Sequence, residues 1–194
     1  FQRVLVPMAD VVVDIHAGGK TLDFLPYAAV HRLPNAAQEA RCVAAMNAFA
    51  APYSMMMLEI DTIGMYDNAV EDMGKVFVTT ELGGGGSSTA RSNAIAKRGI
   101  RNILIHAGIL EGEMERTPSS MLDMPSGDCF TFAEHDGLFE ICADLGAMVR
   151  KGDVVAKVWP ADRTGMHPAI YRARMDGFVT ARHFPGLIKM GDCM

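Results

Sequence analysis

Two short apolar runs stand out in the first half of the chain, at residues 11–16 and 75–80. Both are rich in β-branched residues, and neither alternates with polar positions. This pattern is typical of strands that are buried on both faces of a sheet. A third apolar run, at residues 55–60, fits the same description less clearly. The pattern predicts a sheet with helices packed on it.

Between and after these runs, apolar residues follow a helical spacing. It predicts one helix over residues 36–49, with Asn35 as its N-cap, because an asparagine side chain accepts hydrogen bonds from the free N–H groups of a first turn. A longer helix is predicted over residues 89–106, capped by Ser87 or Ser88. An α/β domain is therefore expected over residues 1–116.

The sequence texture changes at residues 117–194, where apolar runs shorten and glycine and proline become frequent. Such a texture predicts an all-β module. The module contains an internal repeat of two units. The first unit begins with Asp-Gly at residues 136–137 and ends with Gly-Asp at 152–153, and the second begins with Asp-Gly at 176–177 and ends with Gly-Asp at 191–192. We expect two similar units in a small barrel-like sandwich with pseudo-twofold symmetry, interrupted at its C-terminal end.

Composition narrows the class of protein. The net charge is -5 and no run of Lys and Arg exceeds two residues, so nucleic-acid binding is not expected. No apolar run is long enough to span a membrane. The four cysteines form no C-x-x-C pair, which argues against a zinc finger and against a disulfide framework. These features predict a soluble, cytoplasmic protein, and a homo-oligomer is compatible with them.

The candidate chemistry follows the two clearest apolar runs. The first ends in Asp14 and His16, and the second ends in Glu81 before the glycines of residues 83–86. Ligands bind beyond the carboxyl ends of strands in open α/β sheets, so we expect these side chains at one rim of the sheet. Residues two apart share a face of a strand, so Asp14 could orient His16.

Each of these residues also has a purely structural interpretation. His16 is either a metal ligand or a histidine satisfied within the core, and Glu81 is either a general base or half of a buried ion pair. The glycine run before a helix resembles a phosphate loop but lacks the lysine of that motif. Lys189 is followed by a methionine, as is the modified lysine of a biotin carrier. The position before it, where a biotin carrier has a second methionine, is Ile188.

At residues 14–16 and 80–84, with the Asp-Gly repeat of the β module, the sequence resembles the succinylglutamate desuccinylase/aspartoacylase family. The resemblance implies a zinc-carboxypeptidase-like mixed sheet followed by a small β domain. Residues 55–60, 64–66 and 74–86 are particularly similar to the branch of the family that acts in ectoine breakdown. The implied activity is hydrolysis of the amide of a small N-acyl amino acid, with N-acetyl-2,4-diaminobutyrate as the substrate.

The resemblance also implies roles for residues. His16 matches a zinc ligand of the family and Glu81 its catalytic glutamate, with one Zn²⁺ per chain. The other two ligands belong to an H-x-x-E motif that would precede Phe1, as would the substrate-binding arginine, so the 194-residue chain alone is expected to be inactive. Four residues are candidate substrate contacts: Tyr66, Gly83, Gly84 and His135.

Two other functions stay open at this stage. A non-catalytic binding or carrier module would need Lys189 exposed at a hairpin tip and modified. A zinc carboxypeptidase that acts on peptides is the other alternative. The appended β module argues mildly against peptides, because in this family it narrows access to the cleft.

Overall fold

The computed structural model of the chain describes residues 1–58 and 65–194. The end of the apolar run at residues 55–60, and Gly64 in the 64–66 segment, therefore lie outside the described residues. Among the described residues, the longest helices are too short or too polar to cross a bilayer.

The helices and strands follow one another in a mixed order. The helices are α1 (Leu5–Met8), α2 (Ala36–Phe49), α3 (Tyr66–Glu71) and α4 (Ala90–His106), with a 3-10 turn at Gly127–Cys129. The first strands are β1 (Val11–Asp14), β2 (Leu22–Phe24), β3 (Tyr27–His31), β4 (Tyr53–Met57), β5 (Val76–Glu81) and β6 (Ser120–Asp123). The remaining strands are β7 (Gly137–Ile141), β8 (Met148–Val149), β9 (Val154–Trp159), β10 (Ala169–Arg172), β11 (Gly177–Phe178), β12 (Ala181–His183) and β13 (Leu187–Ile188).

The chain divides into two compact units. The first contains Phe1–His16, Pro26–Leu82 and Thr89–Pro125, and the second contains Ala17–Leu25, Gly83–Ser88 and Ser126–Met194. Strand β6 belongs to the first unit although it follows residue 116. The chain leaves the first unit directly after His16 and again directly after Leu82.

The first unit is built on a mixed five-stranded sheet in the order β1-β5-β3-β4-β6. Strand β1 runs parallel to β5, and β3 runs parallel to β4, whereas β3 and β5 are antiparallel. This confirms the mixed sheet with helices that the family resemblance implies. Helices α2 and α4 cover one face, where the largest apolar cluster includes Val30, Phe49, Val78 and Ile103. A smaller cluster of Val6, Val70 and Phe77 lies on the other face.

Local signals account for the two long helices. The Asn35 side chain accepts hydrogen bonds from Ala37 and Gln38, which confirms it as the N-cap of α2. Helix α4 is capped by Thr89 rather than by Ser87 or Ser88, so that prediction is wrong. Thr89 and Ser92 form a reciprocal capping box, which satisfies two backbone N–H groups, one of Thr89 and one of Ser92.

The second unit is formed largely of short antiparallel strands. Strands β10, β9, β7 and β13 form one sheet, whereas β11 pairs with β8 and β12 pairs with β2. The two halves of the sequence repeat pair crosswise. Gly137 in β7 lies opposite Ile188 in β13, and Gly177 in β11 lies opposite Val149 in β8.

The turns of the two halves of the repeat also form equivalent hydrogen bonds. Asp136 accepts a hydrogen bond from the N–H of Met190 at 2.7 Å, and Asp176 accepts one from Lys151 at 2.7 Å. These aspartates are the first residues of the two Asp-Gly pairs in the repeat. The aspartate side chain of each half therefore accepts a hydrogen bond from a backbone N–H in a turn of the other half.

Candidate active site

The parallel pairing of β1 and β5 brings three predicted site residues to one end of the sheet. Asp14 lies opposite Thr79, so the chain beyond Asp14 runs beside the end of β5. There, the backbone N–H of Leu82 donates to the carbonyl of His16 at 3.0 Å. His16 and Glu81 thus lie at the carboxyl ends of adjacent strands, where open α/β sheets bind ligands.

His16 is paired with Asp14 while most of its ring remains in solvent. Its Nδ1 lies 3.3 Å from Asp14 Oδ2, and the His16 side chain is 59% exposed. A histidine that is satisfied within the core would be buried, so this exposure argues against the structural interpretation. A carboxylate at Nδ1 favours a proton on that nitrogen, which leaves the Nε2 lone pair free to bind a metal ion.

Glu81 is a carboxyl group in an unfavourable environment. Burial raises its pKa to about 7, the negative charge of Asp14 acts in the same direction, and His16 opposes both. Its Oε2 is buried and accepts no hydrogen bond from any described residue. A buried carboxylate oxygen without a donor is costly, so the site holds Glu81 ready to accept a proton.

The structure adds two residues that the sequence did not single out. Tyr27, at the start of β3, lies directly opposite Glu81, is 4% exposed, and has a pKa raised by burial and by the charge of Glu81. Thr80 is fully buried and bonds to the backbone of His16. A tyrosine and a threonine inside strands are ordinary core residues, so only the strand pairing reveals these contacts.

The glycines that follow His16 and Glu81 in the sequence have packing reasons of their own. A Cβ at Gly84 would overlap the Leu22 carbonyl, and a Cβ at Gly18 would meet the same group. Gly83 has a positive φ of 92°, which other residues rarely adopt, and open space lies around it. Close approach of the Leu22 backbone therefore explains Gly84 without a substrate, whereas Gly83 lies beside free space.

The other two candidate substrate contacts lie in different surroundings. Tyr66 in the first unit packs its ring against Phe77, with a centroid distance of 5.8 Å. His135 in the second unit has its Nδ1 3.0 Å from the Tyr171 hydroxyl. His135 also lines an open cavity of about 730 Å³, together with Asp136, Asp162 and His167.

The described residues do not form a complete metal site. Across residues 1–58 and 65–194, no group of three His, Cys, Asp or Glu side chains is arranged to hold a metal ion. His16, with Asp14 at its Nδ1, has the chemistry of one ligand with its supporting carboxylate. The residues therefore fit a single coordination position together with a nearby base.

Comparison with known proteins identifies the family of the chain. Residues 1–107 match the succinylglutamate desuccinylase/aspartoacylase catalytic domain. The chain is 50% identical over 194 residues to the N-alpha-acetyl-L-2,4-diaminobutyric acid deacetylase of Halomonas elongata, covering 99% of the chain and 57% of that protein.

Solved structures show the same similarity. A product-bound structure of the ectoine utilization protein EutE (DoeB) from Ruegeria pomeroyi is 67% identical, with a TM-score of 0.97 over 100% of the chain and 59% of the solved one. A succinylglutamate desuccinylase/aspartoacylase from Rhodobacter sphaeroides is 32% identical, with a TM-score of 0.91 over 99% of the chain and 59% of that one. The chain thus spans less than two thirds of the length of these relatives. On its sequence, its fold and the matched catalytic domain, the chain belongs to the succinylglutamate desuccinylase/aspartoacylase family.

Proposed function

We propose that the protein hydrolyses the amide bond of a small N-acyl amino acid with the help of zinc, and that N-acetyl-2,4-diaminobutyrate is its substrate. The observation that carries the proposal is the pairing of an exposed, carboxylate-supported His16 with the half-buried Glu81 at adjacent strand ends. The substrate follows from the name of the Halomonas elongata relative, which is half identical to this chain.

Glu81 is the general base in this proposal. Its pKa of about 7 allows it to take a proton from water at neutral pH and to return that proton to the leaving amine. Asp14 holds His16 through Nδ1 and leaves Nε2 for the metal. A bound zinc ion would supply Lewis-acid polarisation of the amide carbonyl and acidification of water. We propose that the other ligands come from outside the described residues.

The candidate substrate contacts have unequal support. Gly83, with open space beside it, could admit the substrate backbone, and His135 lines a cavity in its own unit. Gly84 and Tyr66 each have a packing role that needs no substrate. We therefore keep Gly83 and His135 as the first positions to test for substrate contact.

The carrier-module alternative gains little from the structure. Lys189 is exposed in a turn, where its backbone N–H donates to the Asp192 carboxylate at 2.9 Å. The other half of the repeat has the same turn, in which the N–H of Arg150 donates to Asp153 at 2.8 Å. The turn is thus a property of the repeat and not of a lysine placed for modification.

A substrate panel on the full-length protein tests the proposal. N-acetyl-2,4-diaminobutyrate, N-succinylglutamate, N-acetylaspartate and a short peptide would be compared before and after removal of metal with a chelator. We expect turnover of the first compound, loss of turnover on chelation and recovery with zinc. Preferential cleavage of the peptide would instead support a carboxypeptidase, and turnover that survives complete metal removal would contradict the proposal.

A further inference from the structure

The hydroxyl of Thr80 takes no part in the proposed mechanism, but it is buried directly beside Glu81 in the sequence. Thr80 precedes Glu81 in β5 and is fully buried, with 0% of its surface exposed. Because side chains alternate along a strand, Thr80 points to the opposite face of the sheet from Glu81. A buried hydroxyl is unfavourable unless it forms hydrogen bonds, so its partners show what it contributes.

Those partners are all backbone atoms around His16. The His16 N–H donates to Thr80 Oγ1 at 2.9 Å. Oγ1 also lies 3.3 Å from the carbonyl oxygens of Asp14 and His16, and it can donate its one proton to either. The hydroxyl therefore both accepts from and donates to the segment that carries the proposed metal ligand.

This segment lies beyond the regular strand pairing. Strand β1 ends at Asp14, so the backbone of His16 has no place in the β1–β5 ladder. Among the described residues, two groups bind the His16 backbone. One is the Thr80 hydroxyl in β5, and the other is the backbone N–H of Leu82, which directly follows β5. Glu81 lies between these two residues in sequence.

We propose that Thr80 is a positioning residue, which fixes the His16 backbone and, through it, the His16 imidazole relative to Glu81. The inference rests on the proposed hydrolytic function. Catalytic groups must be held to within about 0.5 Å of their productive geometry, and a shift of about 1 Å can cost about 100-fold in rate. Thr80 ties the ligand segment to the strand that carries the base, so the two move together.

A purely structural role for Thr80 predicts different behaviour. If the hydroxyl only satisfies buried backbone groups, its loss lowers stability and leaves the chemistry of His16 unchanged. Thr117 offers a matched control, because its hydroxyl also bonds to a backbone carbonyl, that of Ala50, at 2.8 Å. Thr117→Val removes one hydroxyl-to-backbone bond without touching the His16 segment.

The test compares Thr80→Val, Thr80→Ser and Thr117→Val in the full-length protein. Zinc affinity is measured by competition with a chelator, and kcat and KM are measured on N-acetyl-2,4-diaminobutyrate. We expect Thr80→Val to weaken zinc binding by about 10-fold or more and to lower kcat more than it raises KM. Thr80→Ser keeps the hydroxyl and is expected to restore both, and Thr117→Val is expected to match wild type in both.

Amide hydrogen exchange of the unmodified protein gives a second readout, which holds even if Thr80→Val fails to fold. The His16 N–H is expected to be protected, and exchange at the rate of an open loop would overturn the proposal. Wild-type zinc affinity and kcat in a folded Thr80→Val variant would also overturn it. If the wild-type protein neither bound zinc nor hydrolysed any N-acyl amino acid, the proposed function would be wrong and this inference would fall with it.

Discussion

Replacing Glu81 with glutamine is expected to stabilise the metal-free protein above neutral pH. In the folded protein burial raises the pKa of Glu81 from its ordinary 4.5 to about 7. Each pKa unit corresponds to about 1.36 kcal/mol, so ionising Glu81 costs the fold up to about 3 kcal/mol. Because Glu81 keeps some contact with water, we expect an effect of about 1–3 kcal/mol.

The direction of the effect with pH follows from proton binding. Between pH 4.5 and about 7 the folded protein holds a proton on Glu81 that the unfolded chain has released. The Glu81 carboxyl therefore lowers stability progressively as the pH rises through this range, and its full cost is present above about pH 7. Glutamine has a similar shape and never ionises, so the variant avoids this cost.

The assay is denaturant unfolding of the metal-free full-length protein at several pH values from 4 to 9. Glu81→Gln is expected to equal wild type near pH 4 and to be more stable above pH 7. Glu111→Gln, which neutralises an exposed carboxylate, is the matched control and is expected to follow wild type throughout. If Glu81→Gln were less stable than wild type at every pH, Glu81 would have a stabilising partner and the reasoning would be refuted.

Substitutions at three further positions test the packing and helix capping of the first unit, each by its denaturation midpoint. Gly99→Ala is expected to cost about 1–3 kcal/mol despite the better helix propensity of alanine, because its Cβ would overlap the Phe49 ring; a gain in stability would contradict this. Asn35→Ala is expected to cost about 1 kcal/mol, and Asn35→Asp to cost much less. His31→Leu is expected to cost about 1–3 kcal/mol, since it removes the imidazole that lies 3.1 Å from the buried Glu71 carboxyl group, and an unchanged midpoint would refute the importance of this hydrogen bond.

The sequence predicted best those helices, caps and strands that a few neighbouring residues determine. Helix α2 and its Asn35 cap lie where the apolar spacing and the cap residue place them, because both signals lie within a few residues. The strands beginning at Val11 and Val76 were equally clear, since short apolar runs rich in β-branched residues favour buried strands. The cap of α4 was misplaced by one or two residues, because Ser87, Ser88 and Thr89 are all good N-cap residues and only the Thr89–Ser92 pairing decides among them.

The sequence predicted Asp14, His16 and Glu81 at one rim of the sheet, but not the contacts that Thr80 makes there. The endings of two apolar runs indicated His16 and Glu81, whereas the role of Thr80 depends on a hydrogen bond between residues 64 positions apart. The glycine run at residues 83–86 resembled a phosphate loop in the sequence. The structure brings the backbone of Leu22 against Gly84, and no local pattern reveals this close approach.

The most direct test of the central claim is a paired measurement on Glu81→Gln in the full-length protein. Zinc content is measured by elemental analysis, and kcat is measured on N-acetyl-2,4-diaminobutyrate. We expect the variant to keep the zinc content of wild type and to lose about 10²–10⁴-fold in kcat, which is the usual contribution of a general base. A variant that kept both its zinc and its turnover would show that Glu81 is not the base, and the account of this site would be wrong.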